Sequence, residues 1–549
     1  MLSELFSLSL EEQAERLTEE LVKIKSYNQS NGEVQKADFI YHLLQTFPYF
    51  KENPLHVWTQ DIPFDSARRK NVFAFFEKSP NHRNTIIYHA HIDTVGVEDY
   101  GNIEEFAHNP KRLEEFFSKY DGDEELRSDA QSGDWLFGRG ALDMQSGVAI
   151  HLVNLLYYTE HADELNGNLL VMFNPDEEGQ HAGVRSALHE LMRLKNEKNL
   201  HYVSAVNNDF ITPLFDGDTN KYIYTGVAGK LLPSFYIAGR EAHVGDSLSG
   251  VDPTLVASEL NSAISQNFDL VEKVADELVL PPSCLHLRDD KKSYDVQTAV
   301  SCKLYFNYFI YEKSPKEVLN QLSEIANMVC ENIQERLKQT YIQFRLTNGL
   351  PERELDWHVK VTTIEDYVNE LKGKGIDTDG YIQEELQKRD VTEDERMVAF
   401  RIVEGLHFLD PEKKPRVILF FAPPFLPSNY VSSSTTKGMR IQQVVESVMA
   451  RMGEEYKIRK YFPYLSDGSF LSFNGTKEDM DALNHNFPGM NQLFPLPLIE
   501  MKELNIPSIN IGVYGKGGHK WTERVYKPYT FHVLPKLIRE VTNQLLEKA

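Results

Sequence analysis

The sequence predicts an α/β fold: a domain built on a mostly parallel sheet, interrupted by a smaller α+β sandwich. Three observations carry this. From residue 10 to residue 206 helical and strand-like periodicities alternate, as in a sheet with helices on both faces. From about Gly226 the order becomes strand, helix, strand, helix, and near Ser432 the first pattern resumes. A chain of 549 residues is also too long for one core of ordinary size. The expected boundaries are 1–227 for the first part of the main domain, 228–428 for the inserted one and 429–549 for the second part.

Leu10 to Ile24 has the spacing of an amphipathic helix, and Thr85 to His89 reads as a short buried strand. Gln145 to Tyr158 is helical, Asn168 to Phe173 a strand, Gly183 to Leu194 a helix and Tyr202 to Val206 a strand. In the inserted part, Lys230 to Ala238 and Ala299 to Ile310 read as strands, and Thr254 to Ala263 and Pro315 to Lys338 as helices. Asn348 to Lys414 is highly charged and reads as a mainly helical insertion, followed by a strand at Arg416 to Phe421. Gly438 to Arg451 is helical, Ile506 to Val513 is an apolar strand, and Thr530 to Leu546 is the closing helix.

Charge and composition exclude several classes. The net charge of −24 argues against a nucleic-acid partner, since phosphate binding needs a basic face. Three cysteines, Cys284, Cys302 and Cys330, fit neither a disulfide framework nor a thiolate zinc knot, and favour a reducing compartment. The first 25 residues lack the apolar core of a signal peptide. The longest apolar run, Val417 to Leu426, is broken by Pro423 and Pro424, far short of the ~20 residues that span a bilayer. A cytoplasmic protein with no membrane partner is expected.

Five short clusters of acids and histidines, most of them after an apolar run, lie along the chain: His91-Ile92-Asp93, Leu142-Asp143-Met144, Asp176-Glu177-Glu178, Asn208-Asp209 and Gly518-His519. In open α/β sheets ligands bind beyond the carboxyl ends of strands, and His91, Glu177, Glu178 and Asp209 fall one to four residues beyond one. Alternation at a strand end puts Asp93 on the face of His91, where a carboxylate fixes the ring tautomer and improves the other nitrogen as a ligand. Asp143 follows Gly138 and Gly140 at a helix start; its two oxygens suit a bridge between two metals, though an Asp there also suits an ordinary N-cap. Glu177 and Glu178 repel each other unless a metal or proton intervenes, which divides them naturally into a general base (Glu177) and a ligand (Glu178). Asp209 suits a ligand or an ordinary turn. His519, behind two glycines and 310 positions after Asp209, is a loop histidine that Glu523 is placed to support. His243, in Gly239 to Gly245, falls in the inserted domain. Gly245-Asp246-Ser247-Leu248 spells the GDSL string of a serine esterase class but lacks the strand and oxyanion context that chemistry needs.

Each cluster alone is weak; together, in this order, they resemble the M20 family of metallopeptidases and amidohydrolases. The HxD box is His91 to Asp93, the GxxDMxxG box Gly140 to Gly147, and the DEExG box Asp176 to Gly179. The acidic ligand before a Pro-containing turn is Asp209, the GxxAHxG box Gly239 to Gly245, and the Gly-His box Gly518-His519. The resemblance implies a zinc-peptidase-like catalytic domain carrying a lid and dimerisation domain. It implies two divalent metal ions, zinc first and cobalt or manganese as alternatives. His91 and Asp209 would bind one ion and Glu178 and His519 the other, with Asp143 bridging. Asp93 would orient His91, Glu177 would be the general base, and His243 would reach the partner subunit's site in a homodimer formed through the lid. The substrate class implied is a small peptide or N-acyl amino acid. The length, the insertion and the run Tyr224 to Gly245 resemble, more narrowly, an M20-like member of bacterial arginine-catabolism operons.

Two departures stand out. Gln145-Ser146 replaces the family's usual Lys-Gly, at positions that are not ligands. The lid Arg that holds a substrate carboxylate has no clear counterpart, Arg288 being a guess. With the enlarged insertion, that leaves a non-catalytic M20-like scaffold, binding an arginine-related metabolite or a partner, as the alternative.

Overall fold

Lys70–Phe76 and Asn168–Asn174 are nearly unbroken apolar runs, and both are strands buried almost end to end, as expected of strands covered on both faces. They lie in a computed structural model that describes residues 5–351, 353–390, 393–464 and 466–547. Residues 1–4, at the start of the expected N-terminal amphipathic segment, and 352, 391 and 392 of the expected insertion lie outside the described residues. The chain divides into two units: Met1–Val227 with Asn429–Phe473 and Ile499–Ala549, and Ala228–Ser428 with Asn474–Leu498.

The first unit is built on an eight-stranded sheet. Its order is Val57–Asp61, Lys70–Phe76, Asn168–Asn174, Asn84–His91, His201–Asn207, Ser508–Ile511, Lys221–Tyr224 and Tyr456–Arg459. The sheet is mixed. The four central strands, Asn168–Asn174 to Ser508–Ile511, run parallel. Lys70–Phe76 joins antiparallel on one side and Lys221–Tyr224 on the other. All four central strands therefore end on the same side, at Asn174, His91, Asn207 and Ile511, and the loops that follow them emerge together. Helix Ser146–Glu160, buried on nearly every face, packs against Leu10–Lys23, Leu534–Leu546 and strand Asn84–His91. Leu10–Lys23 starts in a capping box, with the Ser9 side chain accepting from the Glu12 N–H and the Glu12 side chain accepting from the Ser9 N–H.

The second unit carries a five-stranded sheet in the order Ser283–Asp289, Ser301–Ile310, Gly229–Ala238, Arg416–Leu426 and Lys360–Thr363. One face presents Leu232, Tyr236, Ile418 and Phe420 to Ile364, Tyr367, Phe400 and Leu406, which come from the segment expected as an insertion. The alternate residues Leu231, Phe235, Val417 and Leu419 are also buried, and helices Pro253–Ile264 and Pro315–Thr347 pack on the sheet. The charged segment is thus part of this unit's core and supplies the edge strand Lys360–Thr363, which pairs parallel to Arg416–Leu426. Arg416, itself buried, donates from both terminal nitrogens to the Glu370 carboxylate at 2.9 Å each.

Two placements differ from expectation. Asn474–Leu498, expected with the main domain, packs in the second unit, where the Phe421 N–H donates to the Asn486 carbonyl at 2.7 Å. The long helix runs from Pro315 to Thr347 rather than stopping near Lys338. Among the described residues no helix is long and apolar enough to cross a membrane.

Candidate metal centre

His91 is the last residue of its strand, and its ring is buried. Nδ1 lies 3.2 Å from the Asp93 carbonyl oxygen and 3.5 Å from Asp93 Oδ1, and Nε2 lies 2.9 Å from Asp143 Oδ1. Burial alone would lower the His91 pKa; the charges of Glu177, Asp143 and Asp93 overcome it and raise it well above the ordinary value.

The Asp93 carboxylate does more than face His91. It accepts the backbone N–H of Glu177 at 3.1 Å, the N–H of Glu178 at 3.0 Å and the Asn28 amide at 3.0 Å. One buried carboxylate thus fixes both a histidine and the backbone under two acids. Asp176, the first acid of its cluster, serves that backbone as well. Its φ of +72° turns the chain, and its carboxylate accepts from Arg69 at 2.6 Å, Asn28 at 3.1 Å and the Ala182 N–H at 3.0 Å.

Asp143 sits in the tight turn Ala141–Gln145, and its second oxygen, Oδ2, lies 2.9 Å from His519 Nε2. That nitrogen also lies 2.7 Å from Glu178 Oε1. His519 has φ +61° behind Gly517 at +73°, so the loop makes two left-handed steps to aim the ring. Contact with Asp143, then Glu178, pushes the His519 pKa up to about 11. Asp209 follows the strand ending at Asn207. Asn208 donates to the Gly147 carbonyl at 2.7 Å and Asn510 to the Asp209 carbonyl at 3.1 Å, which pins that loop. Burial, then the charge of Asp143, raises the Asp209 pKa to about 8.

These side chains form three overlapping groups whose ligand atoms lie within 4.8 Å of one another: His91, Asp143 and Asp209; Asp143, Glu178 and His519; and His91, Glu177 and Glu178. The first two share only Asp143, and each of its oxygens faces a different histidine. Asp143, Glu177, Glu178 and Asp209 bring four carboxylates into one buried cluster, where like charges destabilise one another. Burial and the neighbouring acids hold the Glu177 pKa well above the ordinary range, against the pull of His91. Two divalent cations carry the charge that balances four carboxylates, and His with carboxylate donors suits first-row metals. The cluster can coordinate two such ions.

The structure brings seven of the eight expected site residues into the first unit: Asp93, His91, Asp143, Glu177, Glu178, Asp209 and His519. The eighth, His243, belongs to the second unit. There it is exposed, and its Nδ1 accepts the Gly245 N–H at 3.1 Å. Sequence reading missed a buried pair in the first unit, with His181 Nδ1 and Asp467 Oδ1 2.9 Å apart. Asp467 is among the charges that raise the Glu177 pKa. The only local signal was a Ser-Asp-Gly turn at 466–468. Phe210 and Tyr464, with ring centroids 4.8 Å apart, form an aromatic pair directly after Asp209 and just before Asp467 in the chain.

Comparison with known proteins gives concordant results. The family model "Peptidase family M20/M25/M40" matches residues 87–474. Protein RocB of Bacillus subtilis is 50% identical over 540 residues, covering 98% of this chain and 95% of RocB. Uncharacterized protein YqjN of the same organism is 34% identical over 537 residues, covering 96% and 95%. Among solved structures, aminopeptidase PepT from Bacillus cereus aligns over 98% of this chain and 99% of its own, with a TM-score of 0.51 and 12% identity. The metallo-carboxypeptidase Sso-CP2 from Sulfolobus solfataricus aligns over 97% and 99%, with a TM-score of 0.50 and 13% identity. The fold, the candidate dinuclear site and these matches agree: the chain belongs to peptidase family M20/M25/M40.

Proposed function

We propose that this chain is a dinuclear metal-dependent hydrolase that cleaves an amide bond in a small peptide or an N-acyl amino acid. The observation that carries it is the meeting of two ligand groups at Asp143, whose oxygens lie 2.9 Å from His91 Nε2 and 2.9 Å from His519 Nε2. His91 and Asp209 would hold one ion and Glu178 and His519 the other, with Asp143 shared between the two groups. Zinc suits this mixture of imidazole and carboxylate, which also accepts cobalt or manganese. When bound, the two ions lower the pKa of a water and polarise the substrate carbonyl.

The remaining steps fall to side chains. Asp93 holds His91 in one orientation and fixes the Glu177 and Glu178 backbone. Glu177 takes a proton from the attacking water and returns it to the departing amine. His243 accepts the Gly245 N–H at Nδ1, which leaves Nε2 as the nitrogen that would donate to a developing oxyanion. By the family resemblance it acts in the partner subunit's site, so the functional form is a homodimer through the second unit. The protein works in the cytoplasm, and the narrower resemblance supports a substrate from arginine catabolism.

The test is metal content of the purified protein together with turnover of a panel of dipeptides and N-acyl amino acids, with and without zinc, cobalt or manganese. About two ions per chain and metal-dependent release of an amino acid support the assignment. A protein that binds no ion under any loading condition overturns it and favours a binding scaffold.

A further inference from the structure

Glu523, four residues after His519, does not serve its own loop alone. Its Oε1 accepts two backbone N–H groups of the loop carrying Asp143, from Leu142 at 3.0 Å and from Asp143 itself at 3.1 Å. Its Oε2 accepts from Arg139 Nη1 at 2.8 Å, and its carbonyl accepts the Gly138 N–H at 3.2 Å. Arg139 is buried and spends its other donors on the Gly96 carbonyl at 2.8 Å and Asp99 at 2.6 Å. Within its own loop, the Glu523 N–H donates to the Lys520 carbonyl at 2.9 Å. Glu523 is 1% exposed, so these bonds form away from competing water.

One side chain therefore fastens the loop of His519 to the loop of Asp143, Glu523 and Asp143 being 380 positions apart in the chain. Both loops are irregular. Asp143 lies in a turn with non-helical dihedrals, and His519 sits at a positive φ, so neither ligand is held by a regular ladder of backbone bonds. The distance between Asp143 Oδ2 and His519 Nε2, which sets the span of the second ligand group, depends on what fixes the two backbones together.

We infer that Glu523, braced by Arg139, is a positioning residue that sets the Asp143–His519 spacing and thereby the affinity of the site for its ions. This rests on the assignment of Asp143 and His519 as ion ligands. The carboxylate is needed in full: one oxygen for the two amides, the other for the guanidinium. In Glu523→Gln the carbonyl oxygen still accepts the two amides, while the new NH2 faces the Arg139 donors. Glu523→Ala removes both contacts.

The experiment is titration of metal-free wild-type protein, Glu523→Gln, Glu523→Ala and Arg139→Gln with cobalt(II), against a competing chelator. The visible cobalt spectrum and the melting temperature of each metal-free chain are recorded alongside. Supporting residues around metal ligands are worth about 10–100-fold in affinity. We expect Glu523→Ala to bind at least one ion about that much more weakly, Glu523→Gln and Arg139→Gln to fall between it and wild type, and the spectrum of bound cobalt to change. A merely structural role would lower the melting temperature while leaving affinity and spectrum at wild-type values, and that result overturns the inference. If Glu523→Ala fails to fold, Glu523→Gln, the isosteric change, decides by the same two readouts. Wild-type protein that takes up no cobalt overturns the ligand assignment itself and is visible without any variant.

Discussion

Asp93 and Glu178 are joined through the backbone: the Glu178 N–H donates to Asp93 Oδ2 at 3.0 Å. The Glu177 N–H does the same to Oδ1 at 3.1 Å. The aspartate thus reaches three members of the cluster: His91 through its ring, and the two glutamates through their amides. Replacing Asp93 with Ala is expected to remove more than a ring orientation. Ion affinity should fall about 10–100-fold, as for a lost supporting carboxylate, and turnover should fall with it. Asp93→Asn keeps one acceptor oxygen and should lie between. Competition titration and steady-state kinetics on the same preparations check this.

Glu177 has a buried oxygen, Oε1, with no hydrogen-bond partner among the described residues. An oxygen so placed is open to a water or an ion, and the two roles differ in what its removal does. Glu177→Ala should keep about two ions per chain yet lower kcat at least ~10²-fold, the usual worth of general-base catalysis. Elemental analysis beside kcat measurement separates the outcomes: loss of ions would make Glu177 a ligand, and unchanged turnover would remove it from the chemistry.

The two ligand groups that meet at Asp143 should respond differently to deletion. His519→Ala leaves His91, Asp143 and Asp209 intact and is expected to retain one ion of two. Asp143→Ala breaks both groups and should retain neither at stoichiometric loading. Ion content after gel filtration distinguishes them.

Ion uptake should release protons. His519, at about 11, is protonated at neutral pH in the ion-free chain, and Asp209, at about 8, largely so. Both must lose that proton to act as ligands, so more than one proton should leave per chain, and affinity should rise with pH. Calorimetry in buffers of different ionisation enthalpy counts the protons. Release of none would contradict the ligand roles of both residues.

In the second unit, hydrogen bonding to Arg416 holds the Glu370 carboxyl well below the usual carboxylate range. A group with a depressed folded pKa contributes stability that is present above its unfolded value, about 4.3. That contribution is lost as pH falls toward the folded value. Arg416→Met should therefore cost about 2–3 kcal/mol at neutral pH, since Arg416 is buried and Glu370 only partly so. The cost should shrink as the pH is lowered. Hydrogen exchange of amides in strand Arg416–Leu426 measures it locally.

The sequence was most legible where chemistry and pattern coincide. Asn84–His91 and Asn168–Asn174 read as apolar runs, and the acids behind them stood out because adjacent Glu177 and Glu178 need a reason. Less was legible where long-range pairing decides. Val57–Asp61 is short, mostly half-buried, edge-lying and held by one antiparallel neighbour, so its pattern is weak. Lys360–Thr363 lies in a charged stretch, and only pairing with Arg416–Leu426 makes it a strand. Contacts between side chains far apart in the sequence were hardest to find. Asn28 meets Asp93 across 65 positions and His181 meets Asp467 across 286, distances that no local period encodes. Glu523 was visible as a neighbour of His519, but its hold on the Asp143 loop was not.

The four central parallel strands finish on one side of the sheet, yet the chain writes them far apart: three before residue 208 and the fourth at Ser508–Ile511. A nascent chain emerges from its N-terminus, so His91, Asp143, Glu178 and Asp209 are made first. Some 310 further positions, most of them a separate unit, must follow before His519 exists. Until then the growing polypeptide carries a cluster of acids that lacks one of its two histidines. On the proposed ligand assignment, the complete site exists only once synthesis has passed the second unit and the sheet has accepted its last parallel strand.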